Sequence, residues 1–229
     1  YNFQAPPIVN GSYSMSIISW KTAFVMDDEV TFKNETFDQF RENRITIAEK
    51  LATQNVNSGD SLQGEFPEGY GETAQEVLLY SFLAAYTGKS AGGINVGDIT
   101  KELPMPNWNI TYDGLSRLPF FKKYFRSITL GHGYRSTFSI GSYTRNPLFE
   151  EENGDPSVKD PNGNFIADKQ YSTATISEQF SPLINVDMTW NNSLLTKVEF
   201  RQDRNVSLSF ANNQVTEVKG KEYIIGLGY

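Results

Sequence analysis

A single histidine, His132, and no cysteine leave this 229-residue chain with few of the side chains that catalysis or metal binding draws on. Zinc sites are built from clusters of Cys and His, so the usual ligand sets are excluded. His132 falls on the apolar side of an alternating stretch, where it reads as a packed or interfacial residue rather than a proton-transfer group. No Gly-x-Ser-x-Gly elbow presents a serine nucleophile. Asp160, Asn162 and Asn164 match the first three ligand positions of a calcium loop, but Phe165 stands where the loop needs Gly and Tyr171 where it needs Glu. Glu150, Glu151 and Glu152 read as a solvated loop face. AGGINVG, residues 91–97, has neither the lysine nor the preceding strand of a phosphate loop. Asn-x-Ser/Thr sequons begin at Asn10, Asn34, Asn109, Asn191 and Asn205, and strands alternating Asn, Ser and Thr generate them by chance. The expectation is a non-enzymatic chain with no cofactor and no metal.

The same texture describes a wall. Residues 125–145, FRSITLGHGYRSTFSIGSYTR, place Ile128, Leu130, His132, Tyr134, Phe138 and Ile140 on even positions and Thr129, Gly131, Gly133, Arg135, Thr137 and Ser139 on odd ones. A period of two held over this length predicts one long strand, far beyond the ~5 to 6 residues of an ordinary one. Residues 11–25 predict a strand bulged near Ile17, after a Pro-rich lead-in at 4–7. Trp108, Ile110 and Tyr112 predict a short strand, and residues 113–124 a compact aromatic connector. Ile184, Val186, Met188 and Trp190 alternate with polar residues, and Pro182 predicts a kink or an edge before them. Asn191–Ser193 marks a tight turn. Strands follow over 194–201, from Val206, and over 223–229.

Two stretches break the pattern. Phe37, Phe40, Ile47, Ala48 and Leu51 recur at helical spacing, predicting a helix over about 37–52 with Thr36 and Gln39 as a capping box. A second helix is expected after Thr73 and Glu76, stopped by Gly88. The organisation expected is therefore barrel strands over 1–34, a helical insertion over 35–103, and strands again over 104–229 with a long polar loop at 146–170.

With 38% hydrophobic and 14% aromatic residues the chain can bury a sizeable core. A net charge of −7 gives no surplus of cations to displace counterions from phosphates, so nucleic acid is not an expected partner. Val77–Tyr86, the longest nearly unbroken apolar run, is about half of the ~20 residues that a membrane helix needs. Any crossing must be made by strands. Lys197, Glu199 and Arg201 share the odd face of their strand, and a basic side chain at the bilayer midplane costs ~2 to 4 kcal/mol. The dry face is then the even one. Residues 125–143 would reach roughly 45 Å along the membrane normal at a tilt near 40°, well past an apolar band of about 25 Å. A soluble sandwich built on the same alternation stays open as an alternative.

The blocks FRENRITIAEKLA, EVLLYSFLAAYTGK, MPNWNITYDGLSRLPFFKKYFRSITLGHGYRSTFSIGSY and MTWNNSLLTKVEFRQDRNVSLSFANNQVTEVKGKEYIIGLGY, in this order, resemble the SprA/Sov family. These are the giant outer-membrane barrels that form the translocon of type IX secretion in Bacteroidetes. The likeness runs from about Ala23 onward. Family members are many times longer, so the chain resembles an excerpt from the C-terminal part of the barrel. The resemblance implies an antiparallel transmembrane β-barrel wall segment in the outer membrane, all-β with a helical insertion at the pore mouth. It also implies a passive pore for folded secreted proteins, with the rest of the barrel, a shuttle barrel and a periplasmic plug as partners. On that reading Ile128, Leu130, Phe138, Ile184, Met188, Trp190, Val198 and Phe200 face the lipid bilayer. Arg135, Asp187, Lys197, Glu199 and Arg201 face the lumen. The alternatives are a soluble β-sandwich binding glycans through Trp20, Trp108 and Trp190, and a nutrient-uptake barrel.

Overall fold

The computed structural model describes residues 10–31, 33–97, 99 and 103–229. The Pro-rich lead-in and part of the expected end of the insertion lie outside the described residues. The chain is mostly antiparallel sheet, an up-and-down meander in which sequence neighbours pair. Its main strands are β1 (Asn10–Ser16), β2 (Trp108–Tyr112), β3 (Phe125–Arg145), β4 (Thr173–Trp190), β5 (Leu195–Ser209) and β6 (Gln214–Gly228), and the short Lys169–Tyr171 segment also pairs with the top of β3. β1 and β2 both pair with β3 on one edge, β1 against its upper half and β2 against its lower half. β4, β5 and β6 follow in order to the other edge. Among the described residues the sheet does not close on itself.

β3 spans the whole expected stretch because no residue in it breaks the alternation strongly enough to end pairing. Gly133 is needed where it stands: a Cβ there would lie 2.9 Å from the Ser181 carbonyl oxygen. At that level β4 carries extra residues around Pro182, and register shifts fall between Gly131 and Tyr134 and between Phe200 and Gln202. The irregularity expected at Pro182 is thus a bulge inside a strand that continues past it. The 194–201 and 206–210 runs are one strand, β5. The long loop at 146–172 and the tight turn at 191–194 leave opposite ends of the sheet, here called top and bottom.

The strand expected over residues 11–25 ends at Ser16. The change of phase near Ile17 is where the chain leaves the sheet, not a bulge within it. It returns at Met105, whose N–H donates to the Ser16 carbonyl at 2.9 Å, while Ser16 Oγ donates to the Met105 carbonyl at 2.6 Å. β1 and β2 are therefore two halves of one interrupted strand, and residues 17–107 are spliced into it. The insertion begins earlier than the expected residue 35, because residues 17–31 cross the sheet as a strap instead of pairing with it.

The insertion holds α1 (Glu35–Gln54) and α2 (Gln75–Thr87). α1 is capped by Asn34, whose side chain accepts from the Phe37 N–H at 2.9 Å, so the cap is not the Thr36 box that the sequence suggests. α2 is buried from Val77 to Thr87. A helix apolar on every side must be enclosed, and this one packs with α1 and the upper sheet in a single core. Gly88 ends it in the left-handed region at φ +67, and a Cβ there would sit 2.9 Å from Lys21 Cβ of the strap. Phe40, Ile47, Leu51, Leu78 and Phe82 meet Phe138, Ile140, Ile176, Val206 and Leu208 in that core.

Two outcomes follow from this packing. Phe138→Ala should cost about 3 to 5 kcal/mol in denaturant titration, as for a fully buried aromatic, whereas Ile225→Ala on the uncovered lower sheet should cost far less. At the start of α2, burial pushes the Glu76 carboxyl up to about 7 from its usual 4.5. The folded state then holds this proton more tightly than the unfolded chain. Stability from this group is greatest below pH 4.5 and falls as pH rises toward 7. Glu76→Gln should raise the melting temperature at pH 8 and leave it nearly unchanged at pH 4.

Candidate functional site

Strand register sorts the side chains into two faces. The apolar face, even on β2 to β5 and odd on β1 and β6, carries the helices at its top. Its upper rows are Tyr13, Ile140, Ala174, Leu208 and Val215, then Met15, Phe138, Ile176, Val206 and Glu217. Below them runs a polar row: Ser136, Glu178, Arg204 and Lys219. Next come Trp108, Tyr134, Phe180 and Gln202. Beneath these lie Ile184, Phe200 and Tyr223, then Tyr112, Leu130, Val186, Val198 and Ile225, then Ile128, Met188, Thr196 and Leu227. Phe125 packs on Trp190 at the bottom, with ring centroids 4.2 Å apart.

The polar row is where the strap crosses. Ser19 Oγ donates to Glu178 Oε1 at 2.7 Å, and the Tyr134 hydroxyl donates to the same oxygen at 2.8 Å. Arg204, almost fully buried, donates from Nη1 to Thr22 Oγ1 at 2.8 Å and from Nε to Glu217 Oε1 at 2.6 Å. Its guanidinium lies over the Tyr86 ring at 5.3 Å and 3.9 Å from Glu178 Oε2, which accepts no hydrogen bond. Gln202 donates to the Ala23 carbonyl at 3.0 Å and Lys219 to the Val25 carbonyl at 2.8 Å. Below the strap, neither helix covers the apolar face. Tyr223, Ile225 and Leu227 are 72%, 76% and 77% exposed, and Ile110, Tyr112, Ile184 and Val198 are exposed as well.

The opposite face is mostly polar, with Leu195, Val218 and Ile224 as apolar exceptions. Lys197 pairs with Glu199 at 2.7 Å, Arg201 bonds the same carboxylate, and Arg201 reaches Glu222 at 3.2 Å. Asp187 stands directly across from Lys197 and accepts from Asn185 at 2.6 Å. Arg135 is opposite Gln179 on the same side.

The two groups of residues singled out in the sequence thus lie on two different faces, with three corrections. Phe138 is fully buried between the sheet and the helices, so it meets neither lipid nor water, and Ile128 is also buried within the chain. The alternation puts a residue on a face but does not show which helix covers it. Glu199 is on the polar face but is closed over by Lys197 and Arg201. The insertion, expected at a pore mouth, packs on the same face as the lipid candidates. The sequence reading missed the polar row, although it left a signal: Ser136, Glu178 and Arg204 interrupt the apolar side of three successive strands at one level.

Chemistry elsewhere is occupied with structure. His132 Nδ1 lies 2.7 Å from the Leu183 carbonyl. Asp160 Oδ1 accepts the Asn162 and Asn164 N–H groups at 2.8 and 2.9 Å, closing its own loop. A concavity of about 780 Å³ lies at the top beside that loop, and Gln75 within it is spent on Lys169 and Tyr171 backbone groups. Trp190 packs against Phe125 with the rings tilted and donates to Thr196 Oγ1 at 3.0 Å, not into an open groove. Trp108 stacks on Tyr134. No helix among the described residues is long and apolar enough to cross a membrane, which says nothing of crossing by strands.

No family model matches the chain, and no curated protein matches it.

The buried row gives a test. Arg204→Ala leaves Glu178 as an uncompensated buried charge and should destabilise by about 3 to 5 kcal/mol in denaturant titration. Combining it with Glu178→Gln should recover part of that loss, a coupling readable in a double-mutant cycle.

Proposed function

We propose that the chain is a wall segment of a large outer-membrane β-barrel, with the bare lower rows against lipid and the ion-paired face lining a water-filled passage. One observation carries the reading. A broad, exposed apolar field is bounded below by the Phe125–Trp190 pair and above by the half-buried Trp108, stacked on Tyr134, which with Phe180 is buried within the chain, and the reverse face of the same strands is charged. Patches of this size on a folded chain mark a partner or a membrane. Aromatic girdles at two levels flanking an apolar band are the pattern of membrane strands. From Tyr223 to Tyr229 the field extends roughly 20 Å along the strand, or about 16 Å along the normal at a 40° tilt, against the ~25 Å band of such barrels, with Lys221 at its upper margin.

The choice of side follows from cost. Turning Lys197 and Arg201 to lipid would cost ~2 to 4 kcal/mol for each near the midplane, while Ile225 and Val198 would be left in water. In the chosen orientation the helices stand on the outer surface of the wall, beyond the lipid, and cover the part of the strands that overreaches the bilayer. The two uncovered edges, at β1–β2 and at β6, would pair with neighbouring staves.

The resemblance to the SprA/Sov family makes this wall part of the protein-conducting channel of type IX secretion, with a shuttle barrel and a periplasmic plug as partners and folded secreted proteins as cargo. The chemistry asked of the chain is passive. A lumen surface whose Lys197, Glu199, Arg201 and Glu222 satisfy one another offers passing cargo alternating charges with little net attraction for either sign. No catalytic step is assigned.

Ile225→Arg should shift the protein out of the outer-membrane fraction or impair its assembly there, whereas Glu222→Gln on the opposite face should leave both unchanged. Recovery of the protein and its Ile225→Arg variant alike in the soluble fraction would end this reading. Bilayer conductance separates the remaining alternative, since a nutrient-uptake barrel should show a narrow, substrate-selective current.

A further inference from the structure

The strap has two sides with opposite character. Its inner side is fixed to the sheet through Ser19, Thr22, Ala23 and Val25, each in a hydrogen bond with β4, β5 or β6. Its outer side presents Trp20 and Phe24, both half exposed, and then Met26 and Val30, 72% and 86% exposed. Of these, Phe24 touches the upper aromatic row, its ring centroid 5.2 Å from that of Phe180. Large apolar side chains crowded into one short segment are costly to leave in water. The strap's hold on the sheet is made by these polar and backbone groups and by the buried Ile17 and Ala23, and none of it needs Trp20, Met26 or Val30 outside.

Their level is what gives them an occupant. The strap crosses at the Ser136–Glu178–Arg204–Lys219 row, one row above Phe180 and two above Ile184, so it lies along the upper margin of the bare apolar field and on the same face. Any bilayer that covers the field ends at the strap. Its charges are mixed: Lys21 and Lys33 are exposed, as are Asp27, Asp28 and Glu29, of which Asp28 is occupied by the Val30 and Thr31 N–H groups of its own turn, at 2.8 and 3.0 Å, and Asp27 accepts from Asn34 at 2.5 Å. Trp is the side chain most at home at this depth, with an apolar body and a polar tip.

We infer that the strap is an interfacial anchor: Trp20, Phe24 and Met26 enter the headgroup–acyl boundary of the adjacent lipid leaflet, so that the helical insertion rests on the membrane surface. This rests on the reading of the lower face as lipid-facing. The anchor would fix how deep the wall sits, because the strap cannot slide along strands to which its inner side is bonded.

The chain has no cysteine, so single cysteines can be placed without background from it. Spin labels on Met26→Cys, Phe24→Cys, Lys33→Cys and Ile225→Cys, in the protein reconstituted into phosphatidylethanolamine–phosphatidylglycerol bilayers, report depth from collisions with oxygen and with a water-soluble nickel chelate. All four positions are at the surface of the chain. The expected result is oxygen-dominated relaxation at 225, nickel-dominated at 33, and values shifted between the two at 24 and 26. If 225 is lipid-exposed while 24 and 26 match the water-exposed value at 33, the anchor is overturned and the membrane wall stands. Labels at 24 and 26 screened from both collision partners would place them against protein and overturn it as well. A nickel-dominated label at 225 overturns the wall, and the anchor with it.

Discussion

Arg204 and Glu178 hold the rest in place. Two charges buried on the apolar side of a sheet depend on neighbours arranged to satisfy them, and here the neighbours come from the strap, from α2 and from β6, with Glu178 Oε2 left to the Arg204 guanidinium 3.9 Å away. Because these groups sit at one level on adjacent strands, they turn a continuous apolar surface into two fields. The upper field is closed by helices. The lower one is left for something outside the chain.

This division explains how a chain with a modest apolar content can both bury a core and keep a broad apolar surface. α2 supplies the centre of the core and is enclosed on every side, so the upper sheet needs no second sheet opposite it. The place that a sandwich would give to that second layer is filled by the insertion. Charge is managed separately, on the reverse side, where Glu199 sits between Lys197 and Arg201 and neither cation is left without a partner.

Much of the wall was legible beforehand because a period of two is a direct imprint of the pleat. β3 runs over the stretch that the alternation marked, and Trp108–Tyr112 and the turn after Trp190 also fall where expected. What was not legible depends on contacts far apart in sequence. Ile17 and Ile18 continue an apolar texture, yet the chain departs there because Ser19 finds Glu178, 159 positions away. Phe138 and Val198 share a face of the sheet in the sequence pattern, and only the insertion, arriving from before β2, separates a core residue from an exposed one. The polar interruption at 202–205 read as a break in a strand, although β5 runs unbroken through it. Arg204 marks the crossing of the strap instead.

The Ser16–Met105 closure bears on how such a wall could be elaborated over evolution. An excursion that departs and rejoins at one backbone pair leaves the pairing partner of every flanking residue unchanged. β1 and β2 address β3 as an uninterrupted stave would. A whole folded unit can therefore be gained, lost or exchanged at that point without altering the number of staves or their stagger, the two quantities that set the width of a closed barrel.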